Sequence, residues 1–232
     1  MRHEFDTPEP PRLRVTIPTG SVVIETAEAA QTIVEVEDGP DVQVEQRGRE
    51  IAVEPEKRFG RRGEAYVRIS CPHGADAEVQ VASAEVRARG RLGDVRIRSA
   101  SGDVELDSIS GRLDATTASG DVEVRAARGG GNVRTASGDV VIDEAADRLS
   151  VMTASGDQEI RSVAEGLLDL KSASGDMTIG IKQGSRLRVD ARSLSGDTTS
   201  ELEISGAAPS GEGPLVELNA ASMSGDIRIV RA

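Results

Sequence analysis

The tripeptide Ser-Gly-Asp recurs through the second half of the chain, with its aspartate at positions 103, 121, 139, 157, 176, 197 and 226. Successive intervals are 18, 18, 18, 19, 21 and 29 residues, and the related turn Leu92-Gly93-Asp94 lies nine residues before the first. An 18-residue unit holding two short strands and two turns cannot bury its own apolar face. Stacked on copies of itself at about 4.8 Å per coil, it builds a continuous core. The repeat therefore predicts a solenoid.

Residues flanking each turn alternate with period two. After it come Val104-x-Leu106, Val122-x-Val124, Val140-x-Ile142, Met177-x-Ile179-x-Ile181 and Ile227-x-Ile229; before it come Leu113-x-Ala115-x-Thr117, Leu149-x-Val151-x-Thr153 and Val216-x-Leu218-x-Ala220-x-Ser222. Period two means strands with one buried face. The expected fold is all-β, a parallel β-solenoid resembling a single-stranded β-helix, with coils of about 18 residues. Parity turns Ala118, Ala136, Ala154, Leu194 and Met223 outward and carries the inward face through Thr153 to Ser155. Gly102, Gly120, Gly138, Gly156, Gly175, Gly196 and Gly225 mark the corners, where a residue tolerating positive φ is required, and the following Asp can bond local amides.

The expected layout has three parts. Residues 1–11 read as a mobile N-terminal segment. Residues 12–90 read as an irregular β region capping the solenoid, because Leu13-x-Val15-x-Ile17, Val22-x-Ile24, Val34-x-Val36, Ile51-x-Val53 and Val67-x-Ile69 alternate without a fixed period; a separate small β-sandwich is the alternative. Residues 91–232 read as the regular solenoid, with a Gly/Pro/Ser-rich loop inserted at 198–214 to account for the 29-residue interval. Arg58 to Gly63 reads as a basic loop.

Hydrophobic residues make up 37% of the chain but aromatics only 1%, so the core must consist of thin aliphatic layers. A formal net charge of −12 repels phosphate backbones and anionic headgroups, which disfavours nucleic acid and membrane surfaces as partners. No run of about 18 apolar residues predicts membrane insertion, and Met1 to Pro8 has no apolar stretch resembling an export signal, so a cytoplasmic location is expected, membership of an envelope-associated complex being the alternative.

The segment Ile69-x-Cys71-Pro72-x-Gly74, the stretch Val79 to Val95 and the repeated Thr-Ala-Ser-Gly-Asp-Val resemble the bacterial "putative adhesin" domain family, a group of unknown function with β-solenoid structures. The resemblance spans most of the chain. It implies a repeat scaffold and brings no catalytic residues and no cofactor.

The aspartates should form a column along one edge, about 5 Å apart, where like charges repel by roughly 1 kcal/mol in water. The expected compensation is bonding to turn amides or to arginines and lysines. A lower-ranked reading places calcium between Asp103, Asp121, Asp139, Asp157 and Asp176, as in glycine-rich nonapeptide repeats. A serine nucleophile would need a base, and the only histidines are His3 and His73. Cys71 falls on the inward parity of Val67 and Ile69 and reads as a core thiol. The expected function is non-catalytic: a binding or scaffold module for a protein partner. The alternative is a structural protein polymerising through its solenoid ends, the terminal strand Ile227 to Val230 being the expected edge. A calcium-binding adhesin and a polysaccharide-acting enzyme rank below both.

Overall fold

The computed structural model describes residues 1–37, 42–55, 63–202 and 213–232. Two compact units divide it, Met1–Gly120 and Asp121–Ala232. Both are parallel β-solenoid, and among the described residues no helix is long and apolar enough to cross a membrane.

The second unit contains β11 (Val122–Ala127), β12 (Gly131–Ser137), β13 (Val140–Ala145), β14 (Arg148–Ser155), β15 (Gln158–Val163), β16 (Gly166–Ser174), β17 (Met177–Ile181), β18 (Arg186–Ser195), β19 (Thr198–Ser200), β20 (Leu215–Ser224) and β21 (Ile227–Arg231). Each coil contributes one strand to a pre-turn wall and one to a post-turn wall. On the pre-turn wall β12 pairs with β14, β14 with β16, β16 with β20 and β20 with β18, all parallel. Equivalent positions thereby stack in rows: Val133, Val151, Leu170 and Ala220 form one, and on the facing wall Val124, Ile142, Ile160, Ile179 and Ile229 form another, all buried. Burial of four or five aliphatic side chains per row, each stabilising by about 1.5–3 kcal/mol, does the work that aromatic rings do in globular cores.

Chain order and spatial order part company at the end. The last strands in sequence, β20 and β21, are inserted between coil β16–β17 and coil β18–β19. Two expectations are corrected by this. Thr198–Ser200, the first residues of the expected inserted loop, are instead a strand paired with Ile227–Ile229; residues 203–212 of that loop lie outside the described residues. And Ile227–Val230 is no exposed edge along Ile227–Ile229, because β17 and β19 flank it there.

The first unit contains β1 (Arg2–Asp6), β2 (Arg12–Ala27), β3 (Gln31–Glu37), β4 (Val42–Arg47), β5 (Glu50–Pro55), β6 (Ala65–Pro72), β7 (Asp76–Leu92), β8 (Val95–Ser101), β9 (Val104–Ile109) and β10 (Leu113–Ser119). It repeats the insertion. The long strand β2 runs along both walls and lies between β7 on one side and β5 and β6 on the other. Antiparallel strands then close the edge: β4 on β5, β3 on β6, and β1 on β3. Arg2–Asp6, expected as mobile, is therefore a strand, held by five register pairs with β3. The pairing with β3 is fixed by side chains too, since Gln31 donates to Asp6 (3.1 Å) and Thr7 shares a buried 2.8 Å bond with Thr32. Of the basic loop expected at 58–63, only Gly63 is among the described residues.

One detail of parity also differs. The inward small polar residues are Ser99 and Thr117 in the first unit and Thr135, Thr153, Ser172 and Ser222 in the second, all buried, whereas the serine before each glycine, Ser155 included, is exposed. The chain is already rounding the corner there. At Gly156 φ is 131°, and a Cβ would stand 2.2 Å from the carbonyl oxygen of Gly138 in the coil below. Both the backbone conformation and the stacking distance demand glycine.

Candidate binding surface

The corner aspartates are joined by backbone. In the second unit Asp121 Oδ1 accepts the amide of Asp139 (2.8 Å), Asp139 that of Asp157 (2.8 Å), Asp157 that of Asp176 (2.8 Å), Asp176 that of Asp226 (2.8 Å) and Asp226 that of Asp197 (2.9 Å). The ladder follows the swapped coil order, an independent sign that the coils stack in it. An amide bond to a charged acceptor is worth about 1.5–3 kcal/mol, which outweighs roughly 1 kcal/mol of repulsion between solvated neighbours. Asp103 is engaged as well. Among the described residues no group of three or more His, Cys, Asp or Glu is placed to hold a metal ion.

The first unit has a ladder of its own: Asp76 Oδ1 accepts the amide of Asp94 (2.9 Å) and Asp94 Oδ1 that of Arg112 (2.8 Å). A groove of about 180 Å³ lies beside it. Its charges neutralise one another, Arg12 facing Glu78 (3.7 Å) and Arg112 facing Asp114 (3.2 Å).

Cys71 is buried, and burial pushes its thiol up to about 12, so it stays protonated and non-nucleophilic at neutral pH. His73 is bonded to Thr26 through Nδ1 (2.8 Å), and Thr26 Oγ1 also accepts the amide of Arg91 (2.7 Å). The two residues are thus committed to different neighbours rather than to each other. A mainly apolar hollow of about 440 Å³ lies at the β2–β3 connection, lined by Ala27, Ala29, Ala30, Ile33 and Cys71.

The interior holds a residue that sequence reasoning passed over. Gln158 stands in the buried row occupied elsewhere by Val122, Val140, Met177 and Ile227. Its Nε2 donates to Thr153 Oγ1 (2.9 Å) and to the carbonyl of Lys171 (2.8 Å), tying the two walls together across the core. The signal was there, as an amide following Ser-Gly-Asp where other coils carry an apolar residue or threonine.

Both walls of the second unit show paired charges to solvent, Lys171 with Asp169 (3.0 Å) on the pre-turn wall among them, and they differ in their exposed apolar residues. The post-turn wall carries paired charges; Arg161 reaches Asp143 (2.6 Å) and Glu159 (3.1 Å), and these bonds raise its guanidinium pKa. The pre-turn wall carries a column of exposed apolar residues, Ala136, Ala154, Ala173, Met223 and Leu194, in spatial order, as parity predicted. The column is small along most of its length and ends in two large side chains. Met223 is 61% exposed and Leu194 83%, on adjoining strands whose register, Ser193 with Ser222 and Ser195 with Ser224, sets them side by side.

Comparison with known proteins agrees with this architecture. A crystal structure of a "putative adhesin" from Bacteroides fragilis superposes with a TM-score of 0.60 at 12% identity, covering 99% of this chain and 96% of that one. Another from Parabacteroides merdae gives 0.52 at 13% identity, covering 99% and 95%. A "putative lipid binding protein" from Parabacteroides distasonis gives 0.54 at 11% identity, covering 98% and 96%. At these identities the likeness is one of fold. No curated protein matches the chain. The model of the Toastrack DUF4097 family matches residues 13–162 and again 131–230, so the chain belongs to that family.

Proposed function

We propose that this chain is a non-catalytic binding module that presents the pre-turn wall of its second unit to a protein partner. The observation that carries the reading is the pair Met223 and Leu194, two large apolar side chains held in the open at the end of an apolar column on a rigid wall. The stacked strands already fix the backbone that carries them, so binding has only the side chains left to order. Long charged side chains, Arg134, Lys171 and Arg192, flank the apolar column on that wall. The solved structures called adhesins share the fold alone, and the reading rests on the wall.

The test is photo-crosslinking in cells. A photoreactive residue at position 194 should yield a discrete adduct, and Met223→Glu in the same chain should remove it. No adduct, or the same adduct from position 123 on the post-turn wall, would overturn the reading.

A further inference from the structure

The strand β18 is an edge of unusual character. Among the described residues it has one hydrogen-bonded neighbour, β20, along its full register from Arg186–Leu215 to Ser195–Ser224. Its inward side chains Leu187, Val189, Ala191 and Ser193 are half-buried, whereas Val216, Leu218 and Ala220, their counterparts one coil in, are buried. The core is therefore left partly uncovered at this strand. β18 is ten residues long, without proline. The companion edge strand β19 is three residues long, which limits its capacity to pair.

The backbone tells which groups are on offer. The Arg186 amide bonds the carbonyl of Pro214 (2.8 Å), so along the strand the even-numbered residues turn their amides and carbonyls to β20. Leu187, Val189 and Ala191 turn theirs to the open side. A pairing strand must set odd-numbered residues against these, and the outward charges then select among the registers. A second copy of β18, antiparallel across a two-fold axis, centred on Val189 would set Arg186 against the other copy's Arg192. Centred on Asp190, it would set Arg188 against Arg192 and Asp190 against itself; centred on Arg188 or Arg192, it would set arginine against arginine. Centred on Ala191, it sets Asp190 opposite Arg192 twice, with no like-charge pair, and Val189 opposite Ser193 on the core side.

We infer that two copies of this chain join edge to edge through β18, antiparallel about Ala191, so that each covers the half-open core of the other. The contact is isologous and consumes the edge, so it closes at two copies and does not propagate. The inference goes beyond the wall-binding reading, because it uses the strand's edge and not its outward apolar face.

The experiment is sedimentation of the full chain over a concentration series. A monomer–dimer equilibrium with no larger species is expected. Asp190→Arg places arginine against arginine and should weaken dimerisation by at least tenfold, while the double change Asp190→Arg with Arg192→Asp restores opposite charges both across the interface and within the strand and should recover it. Thermal melting of each variant establishes that it is folded. A monomer at all concentrations, growth beyond two copies, or a dimer indifferent to Asp190→Arg would overturn the inference. In this register Leu194 lies opposite Arg188 of the second copy, so a crosslink from position 194 to another copy of the chain reports the dimer, whereas Met223→Glu should remove only the adduct to a different protein; the two readings therefore fail separately.

Discussion

The first unit seals its terminal edge, and the second leaves its own partly open. In the first, β5 and β6 are overlaid by antiparallel β4 and β3, with β1 beyond, and Ile51, Val53, Val67 and Ile69 are buried as completely as any mid-stack residue. In the second, the outermost strand β18 keeps the same alternation, yet its inward residues are only half-buried among the described residues. Both edges insert a sequence-terminal strand inside the stack. What differs is the last layer. An apolar row is as well buried as its neighbours allow, and the same residue type is worth different amounts at the two edges.

The largest test of that contrast is a pair of truncations. Ile51→Ala removes a fully buried side chain and should cost about 3–4 kcal/mol, whereas Val189→Ala should cost under about 1 kcal/mol at protein concentrations where the chain is monomeric. Chemical denaturation measures both, and equal losses would mean that the second edge is as well covered as the first.

The aspartate ladder gives a smaller version. Asp157→Ala leaves the Asp176 amide without its acceptor and should cost about 1–2 kcal/mol. Asp197, the last rung, receives no amide from a further coil among the described residues, and its replacement by alanine should leave the melting temperature nearly unchanged. The calcium reading meets the same measurement: unchanged melting in chelator is expected, since one oxygen each of Asp121, Asp139, Asp157 and Asp176 already accepts a backbone amide.

At neutral pH the smallest expected effect concerns Cys71, which reports on the sealed edge. An unfolded thiol ionises near 9.0 and the folded one only at about 12, so the folded state holds its proton more tightly. That contribution to stability is complete below pH 9 and is lost as pH rises from 9 toward 12. Cys71 should accordingly resist alkylation at pH 8 until the unit unfolds, while Cys71→Ser should flatten the decline in stability above pH 9.

Much of the scaffold was legible because the repeat constrains it locally. The Ser-Gly-Asp spacing, the alternation and the outward position of Ala154, Leu194 and Met223 all follow from a period of two broken by a glycine corner, and the structure bears them out. The exposed Ser155 escaped, since parity extrapolates a straight strand into a bend. Arg2–Asp6 escaped because a five-residue strand with two charged ends has no periodic signature of its own and is stabilised by its partner β3. Of the candidate surface, the individual residues were visible and their assembly was not: Leu194 and Met223 are 29 residues apart and became neighbours through the swapped order of the last coils.

The sequence by itself determined the coil, its period, its two faces and the residues at each corner, because these depend on neighbours within about ten positions. Only the tertiary structure decided the order in which coils stack, which edge is sealed and which strand is left at the rim. Parallel strands with the same alternation bond equally well in several orders, so local pattern cannot rank them; the choice falls to the long-range rows of Val, Ile and Leu and to the ladder of aspartates that the completed stack brings together.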